Sequence, residues 1–474
     1  MSRRSVLPIL AIAAVGVGSV ALRAGPETGG QLPPPTGPMS SVKFVGASGC
    51  AAMGCHNAQG PLGSQGSEYS TWVHDPHIRA HEVLKESRSK QMIANLGAGW
   101  KPAHEETRCL ACHTTPAGQC SDPRDPFADG VSCESCHGPA GNWKSTHYQP
   151  GWKALPLDHP EKLGYRDLRD LETRAENCAG CHVGDATKEV NHDLIAAGHP
   201  RLAFEFSAYQ ANYLRHWGRS QERYGDDFEA RAWAVGQVAT AKAALELVIA
   251  RASKAAADAT PWPEFSEYGC FACHHTIPAP EGIDNIPWRQ NPRYAGLKVG
   301  ALPFGTWYFP RLESVDAGGS LPSMSSNIVG KLTTAMAAPY PDPVVVKAEA
   351  NTAHKALVGW LAAARNAKVA IPADQTLALF KKLTVDGLRS ETRDGLTFYA
   401  TTDWEDATQR YLALAANYQS LVEQRKLAVD GGMRDALLKA RGTLAFPAGA
   451  KRLDNPKDFT PAKFQDALRQ VTLP

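Results

Sequence analysis

The sequence predicts a mainly α-helical protein with little regular strand. Apolar residues recur at helical spacing through long stretches after Ser326, and no stretch alternates apolar and polar residues as a half-buried strand does. Short cysteine motifs recur before residue 280, separated by loops rich in Gly and Pro. We therefore expect a motif-bearing domain at 44–280, an irregular Pro- and Gly-rich segment at 281–325 and a helical region at 326–474.

The motifs have the form Cys-x-x-Cys-His, in which one helical turn places two thiols on one side with an imidazole beside them. This arrangement attaches a c-type haem: the thiols add to the porphyrin vinyl groups, and the histidine becomes the proximal iron ligand. The first copy is a variant with four residues between its thiols. The sequence thus predicts five covalently attached haem c groups, on the cysteine pairs Cys50 and Cys55, Cys109 and Cys112, Cys133 and Cys136, Cys178 and Cys181, and Cys270 and Cys273, with proximal His56, His113, His137, His182 and His274.

Two other chemistries use a Cys-x-x-Cys pair. A single pair is often half of a zinc site or a thioredoxin-like redox motif. Zinc sites rarely follow every pair with histidine, and thioredoxin-like motifs do not come in series. Ten of the 11 cysteines belong to the haem pattern, and the remaining one, Cys120, is expected to be a lone loop or buried thiol.

Other histidines are candidates for the distal position on each iron. The chain has 16 histidines, and five proximal ligands leave 16 − 5 = 11. His74, His77 and His81 would share one helical face, and Pro76 favours His77 as the ligand because it starts a helix there. The expected distal ligands are His77, His104, His147, His192 and His199. His216, His275 and His354 are weaker candidates, and His354 lies on an apolar helical face typical of a core histidine.

The N-terminus reads as an export signal over residues 1–24. Arg3 and Arg4 precede an apolar run from Val6 to Leu22, with small residues at a cleavage position. Haem is attached to c-type cytochromes outside the cytoplasm, so a periplasmic location agrees with the motifs. An uncleaved segment would be long enough to anchor the chain in a membrane. Residues 25–43 read as a flexible tether.

Charge and composition limit the classes of partner that can be expected. The formal net charge is +2 and no basic run stands out, which argues against nucleic acid. Five haems would add about ten propionate charges and make the loaded protein acidic. Redox proteins or quinol-linked donors are the expected partners, and a membrane is expected only if the N-terminal segment is retained.

Several helices are expected outside the motifs. Aromatic residues from Ala203 to Trp217 share a helical face, and an Ala-rich helix is expected from Asp226 to Ala256. Further on, Val344 to Ala367 has helical spacing. Thr402 with Glu405 forms a capping box for a following helix, and Thr460 before Pro461 opens a short last helix.

Four stretches together resemble a known family. They are Trp72 with Asp75 to His77, the run CESCHGP from Cys133, the stretch Cys178 to Leu202 ending in GHPRL, and the run CFACHH from Cys270. Over Phe44 to Trp307 the chain resembles multihaem cytochromes of the cytochrome c554-related family. The resemblance implies a mainly helical fold, closely packed haem pairs, ligation by two histidines at most irons, and periplasmic electron transfer. The fifth motif, the variant first motif and the long C-terminal region depart from the family pattern.

An electron carrier is the expected function, and two alternatives stay open. Six-coordinate haems pass electrons and cannot bind a substrate, whereas one five-coordinate haem would allow oxidoreductase chemistry on a small nitrogen or sulfur compound. The sequence has no Cys-x-x-Cys-Lys motif and no evident acid-base cluster, which disfavours the enzyme. A polymerising electron conduit is the third hypothesis.

Overall fold

The computed structural model describes residues 43–115, 124–217, 225–258, 260–270, 273–274, 301–315, 321–325, 327–366, 370–393, 396–401, 403–427, 431–446 and 459–471. The predicted export signal, Cys120 and His275 lie outside these residues, as does nearly all of the predicted tether. The fold is mainly helical, which confirms the predicted class. The described residues form one compact unit.

The motif-bearing part contains seven short α-helices joined by turns and 3-10 segments. Four of them are α1 Glu68–Trp72, α2 Ser87–Leu96, α6 His192–Ala197 and α7 Phe206–Asn212, and the three that end in motif histidines are α3 Thr107–His113, α4 Cys133–His137 and α5 Leu171–His182. Polar caps begin several of them. Asp170 starts α5 by accepting a hydrogen bond from the Thr173 amide at 2.8 Å, which satisfies a backbone donor that the helix leaves open.

The long helix α8, Phe228–Asp258, is the centre of the fold. Its side chains are buried on nearly every face of its first five turns, including Trp233, Leu245 and Val248, each at 0% exposure. A helix that is apolar all round must be covered on all sides. By length and composition α8 is the one described helix that could cross a membrane, but 83% of its most apolar 18-residue window is buried inside the protein.

The C-terminal helices supply much of that cover. They are α9 Gly330–Met336, α10 Pro343–Asn366, α11 Ala373–Leu388, α12 Trp404–Glu423, α13 Gly431–Gly442 and α14 Pro461–Leu468. Helix α10 packs along α8, and α12 packs against both α8 and α11. A single hydrophobic core extends from Ala175 on α5 to Val471. The expected boundary near residue 326 therefore does not divide the core into two parts.

Two details of the C-terminal region differ from the sequence-based expectation. Helix α12 is capped by Asp403, whose carboxylate accepts from the Asp406 amide at 2.8 Å, so the Thr402 capping box was wrong by one residue. A short antiparallel hairpin joins β1 Ser390–Arg393 to β2 Leu396–Tyr399, where no strand was expected. The last helix follows the prediction, with Thr460 as its cap and Pro461 at its first position.

His354 behaves as the helical pattern predicted. It lies on the inner face of α10 at 7% exposure, with Val346 and Leu357 buried beside it. Its Nε2 atom is 2.9 Å from Glu246 Oε1 on α8. The imidazole joins the two helices by a polar contact.

Candidate functional site

The motif cysteines and histidines lie on single helical turns. Helices α3, α4 and α5 each end at the motif histidine, and a 3-10 turn Ala47–Cys50 carries the first thiol of the variant motif. In the last motif the His274 amide donates to the Cys270 carbonyl at 2.8 Å, which closes a turn between thiol and imidazole. None of the ten motif cysteines forms a disulfide bond. They are thus available for two thioether bonds per motif.

Each motif histidine faces one other histidine at nearly the same distance. Between ring centroids the distances are 6.0 Å for His56 and His147, 6.4 Å for His113 and His199, 6.2 Å for His137 and His216, 6.1 Å for His182 and His77, and 6.4 Å for His274 and His192. The five partner histidines come from distant parts of the chain. The fold therefore brings together five pairs of imidazoles, one for each motif.

This spacing is a test of whether the residues fit an iron centre. An imidazole nitrogen binds a transition metal at about 2 Å, so two imidazoles on opposite sides of one metal have ring centroids about 6 Å apart. The five pairs match that value and span only 6.0 to 6.4 Å, a narrower range than the roughly 4.5 to 7 Å of packed aromatic rings. With two thiols beside each pair, the residues fit a covalently attached haem held by two histidines.

Hydrogen bonds orient several of these rings. The Nδ1 atoms of His113, His147 and His199 donate to the carbonyls of Ala80, Lys144 and Pro200 at 2.8, 2.7 and 2.7 Å. His77 Nδ1 lies 2.6 Å from Asp75 Oδ1, and His56 Nδ1 lies 3.3 Å from Glu68 Oε2. An oxygen partner on Nδ1 leaves Nε2 to bind a metal, which is the usual arrangement of histidine ligands.

Burial favours the neutral form of five of these imidazoles, which is the form that binds a metal. Burial lowers the pKa of His137 to about 4, with a further contribution from nearby His216. Burial also lowers the pKa of His182 to about 4, with a contribution from His77. The pKa values of His113, His199 and His216 are lowered in the same direction by burial.

One of the expected distal histidines does not face a motif histidine in the described structure. His104 is 38% exposed, and its Nε2 atom lies 3.4 Å from Glu105 Oε1. The position opposite His137 is taken by His216, a weaker candidate in the sequence. His216 packs against Tyr213 and Trp217 at centroid distances of 6.2 and 5.0 Å. Its place at the end of an aromatic run was the signal available in the sequence.

Thiols of different motifs also meet. The Cys50 thiol neighbours the Cys133 thiol, so the first motif lies beside the third. The Cys112 thiol neighbours the Cys181 thiol, so the second motif lies beside the fourth. Lys188 Nζ lies 3.4 Å from Cys181 Sγ. The neighbouring Cys112 thiol, helped by the Lys188 charge, lowers the pKa of the Cys181 thiol to about 6. Four of the five motifs are thus packed in two adjacent pairs.

The first and fifth motifs are the more exposed ones. Among the motif cysteines, Cys55 and Cys273 are exposed and the other eight are partly buried. Beside the fifth motif, Phe265 is 54% exposed and lies 5.9 Å from His192, ring to ring. The first and fifth motifs are therefore the two that solvent reaches most easily.

Comparison with known proteins gives a match over the same region. Residues 50–138 match the family described as "Cytochrome c554 and c-prime", and this segment contains the first three motifs. The chain is 31% identical over 159 residues to cytochrome c-554 of Nitrosomonas europaea. The motif-bearing region is therefore similar to the cytochrome c554-related family, a resemblance that implies covalently bound haem c.

The likeness covers only part of each protein. It spans 30% of this chain and 59% of the Nitrosomonas protein, so the chain spans about three-fifths of the length of that relative. The fourth and fifth motifs and the C-terminal helices lie beyond the segment that matches the family. No solved structure matches the chain.

Proposed function

We propose that this protein is a periplasmic electron carrier with five covalently bound c-type haems, each held by two histidines. One observation carries the proposal: every motif histidine faces a second histidine at 6.0 to 6.4 Å between ring centroids. The proposed distal ligands are His77, His147, His192, His199 and His216. Of the five expected from sequence, His104 is replaced by His216.

Two histidines per site favour a carrier over an enzyme. Haem iron supplies one-electron chemistry, and a site with both axial positions filled has none left for a substrate. The protein's part is to fix the ligands, shield the sites from water and set each potential by burial and hydrogen bonding. The half-buried, carbonyl-bonded rings of His113 and His199 fit that role.

The contacts between motifs support transfer within the chain. Cys50 with Cys133, and Cys112 with Cys181, bring the sites together in pairs, so electrons have short steps within each pair. The exposed Cys55 and Cys273 place the first and fifth sites nearest to solvent. We propose that redox proteins or quinol-linked donors exchange electrons at these two sites. The protein would be anchored in a membrane only if its N-terminal segment is retained.

The test combines haem counting with low-temperature EPR of the oxidised protein. Pyridine haemochrome and intact mass should give five haems per chain and report whether the N-terminal segment has been removed. Every ferric signal should be low-spin, because two imidazoles form a strong ligand field. A stoichiometric high-spin haem that changes on adding nitrite, hydroxylamine or nitric oxide would instead support the oxidoreductase.

A further inference from the structure

The segment His199 to Phe204 connects two of the proposed haem sites. Its first residue, His199, faces His113 at 6.4 Å between ring centroids. Its last residue, Phe204, stacks on His182 at 5.2 Å with an angle of 24° between the rings. Phe204 is 2% exposed, so its position is fixed by the protein interior. Movement of this short segment would therefore disturb one ligand directly and another through its neighbour.

The part of the chain after residue 300 holds this segment at three points. The Tyr308 hydroxyl donates to the Leu202 carbonyl at 2.6 Å, and Trp307 Nε1 donates to the Phe204 carbonyl at 2.9 Å. Arg201 forms an ion pair with Glu405 at the start of α12. These three contacts come from a region that lies beyond the family match.

The ion pair is well shielded from water. The side chains of Arg201 and Glu405 are 15% and 9% exposed, so removal of either charge leaves the other buried. A second ion pair, Arg311 with Asp406, lies next to it in sequence on the α12 side. Trp307 also packs near Trp404 at 6.1 Å between ring centroids, so the donor to Phe204 is itself held by α12. The start of α12 is thus a rigid support rather than a surface contact.

The haem-bearing side holds His199 and the residues before it. The His199 amide donates to the Leu194 carbonyl on α6 at 2.9 Å. Arg88 donates to the Gly198 carbonyl at 2.7 Å, and Asn95 donates to the Ala197 carbonyl at 3.0 Å. From Arg201 onward the described side-chain contacts to this segment's backbone come from Tyr308 and Trp307. The position of Arg201 to Phe204 therefore depends on the C-terminal part of the chain.

We propose that Glu405, Tyr308 and Trp307 are positioning residues that set the ligation of the haem sites at His199 and His182. This role rests on the proposed function, since it requires His199 to be an axial ligand. The C-terminal helical region would then keep the proposed distal ligand His199 in place, together with the packing around the proposed proximal ligand His182.

The experiment compares the loaded Glu405→Gln and Tyr308→Phe proteins with two matched controls. Asp374→Asn removes an ion pair of the same region, since Asp374 is 85% exposed and 2.6 Å from Lys426. Tyr418→Phe removes a hydroxyl that has no hydrogen-bond partner among the described residues. The readouts are EPR spin counts, potentiometric titration of each haem and far-UV circular dichroism.

In Glu405→Gln we expect a high-spin signal that integrates to as much as one haem in five, and its conversion back to low-spin on adding imidazole. In Tyr308→Phe we expect a shift in the midpoint potential of one or two haems without loss of helix. The controls should match the wild type. If Glu405→Gln yields no folded holoprotein, the Tyr308→Phe titration decides the question.

Folded variants of Glu405 and Tyr308 with five unchanged low-spin haems and unchanged potentials would overturn the inference. That result differs from a failure of the proposed function. In the latter case the wild-type protein itself would lack five low-spin haems.

Discussion

Replacing His216 by alanine tests the ligand assignment where sequence and structure disagree. The His216 ring lies 6.2 Å from His137 between centroids, whereas His104 is 38% exposed and close to Glu105. Removing His216 leaves one of five motif histidines without an opposite imidazole. One-fifth of the iron, about 20%, should therefore become high-spin, because a single imidazole is too weak a ligand field. His104→Ala should change nothing.

The assay is EPR spin integration on both variants at equal haem content, before and after adding imidazole. Imidazole should restore the low-spin state in His216→Ala, since it can occupy the position that the side chain left. His216→Ala should lower the free energy of unfolding by about 2 kcal/mol, because the His216 ring packs beside Tyr213 and Trp217. Full low-spin intensity in His216→Ala together with a high-spin haem in His104→Ala would show that the sequence-based choice was right.

Three further predictions concern spectra, pH and packing. Three imidazole pairs have ring planes 70° to 89° apart and two have planes 14° to 30° apart, so EPR should resolve two kinds of low-spin haem in a ratio of three to two. Glu106 begins α3, and hydrogen bonds from Arg108 lower the pKa of its carboxyl to about 2. The pKa of Glu106 is lower in the folded than in the unfolded chain, so its ionised carboxylate stabilises the fold. Above pH 4.5, Glu106→Gln should therefore lower the free energy of unfolding by about 1 to 2 kcal/mol. Chemical unfolding should show that this loss shrinks as the pH falls towards 2. Lys242 lies 3.0 Å from Glu176 and 2.9 Å from Glu246. Lys242→Met leaves these carboxylates without their cation and should lower the free energy of unfolding by about 3 kcal/mol. An unchanged denaturation midpoint would contradict this argument.

The motif cysteines and the histidines beside them could be recognised in the sequence because the pattern is local. Two thiols and an imidazole within one helical turn need no tertiary information. The distal ligands are a tertiary property, since His216 faces a motif histidine 79 residues earlier in the chain. His104 had only its position near Cys109 in its favour. Proximity in sequence did not predict which histidine faces a motif histidine in the structure.

The C-terminal region shows the same limit for packing. Helical spacing predicted α10 and α14 well, but the region was expected to be separate from the motif-bearing domain. The composition of α8 would have predicted this packing. A long Ala-rich helix without a polar face must be buried on every side, and the C-terminal helices pack against it. The hairpin at Ser390–Tyr399 was missed although an Asp-Gly dipeptide, a hairpin-turn signal, separates its strands.

The contact between thiols of different motifs bears on how the protein is made. In the folded chain Cys50 meets Cys133 and Cys112 meets Cys181, rather than each meeting the second thiol of its own motif. In an oxidising compartment, a chain that folded before receiving its cofactors would join these thiols as mismatched disulfides. Such bonds would consume one thiol from each of four motifs, so four of the five proposed haems would lose an attachment point. If the proposed function is right, we therefore expect the haems to be attached to a reduced chain before it folds.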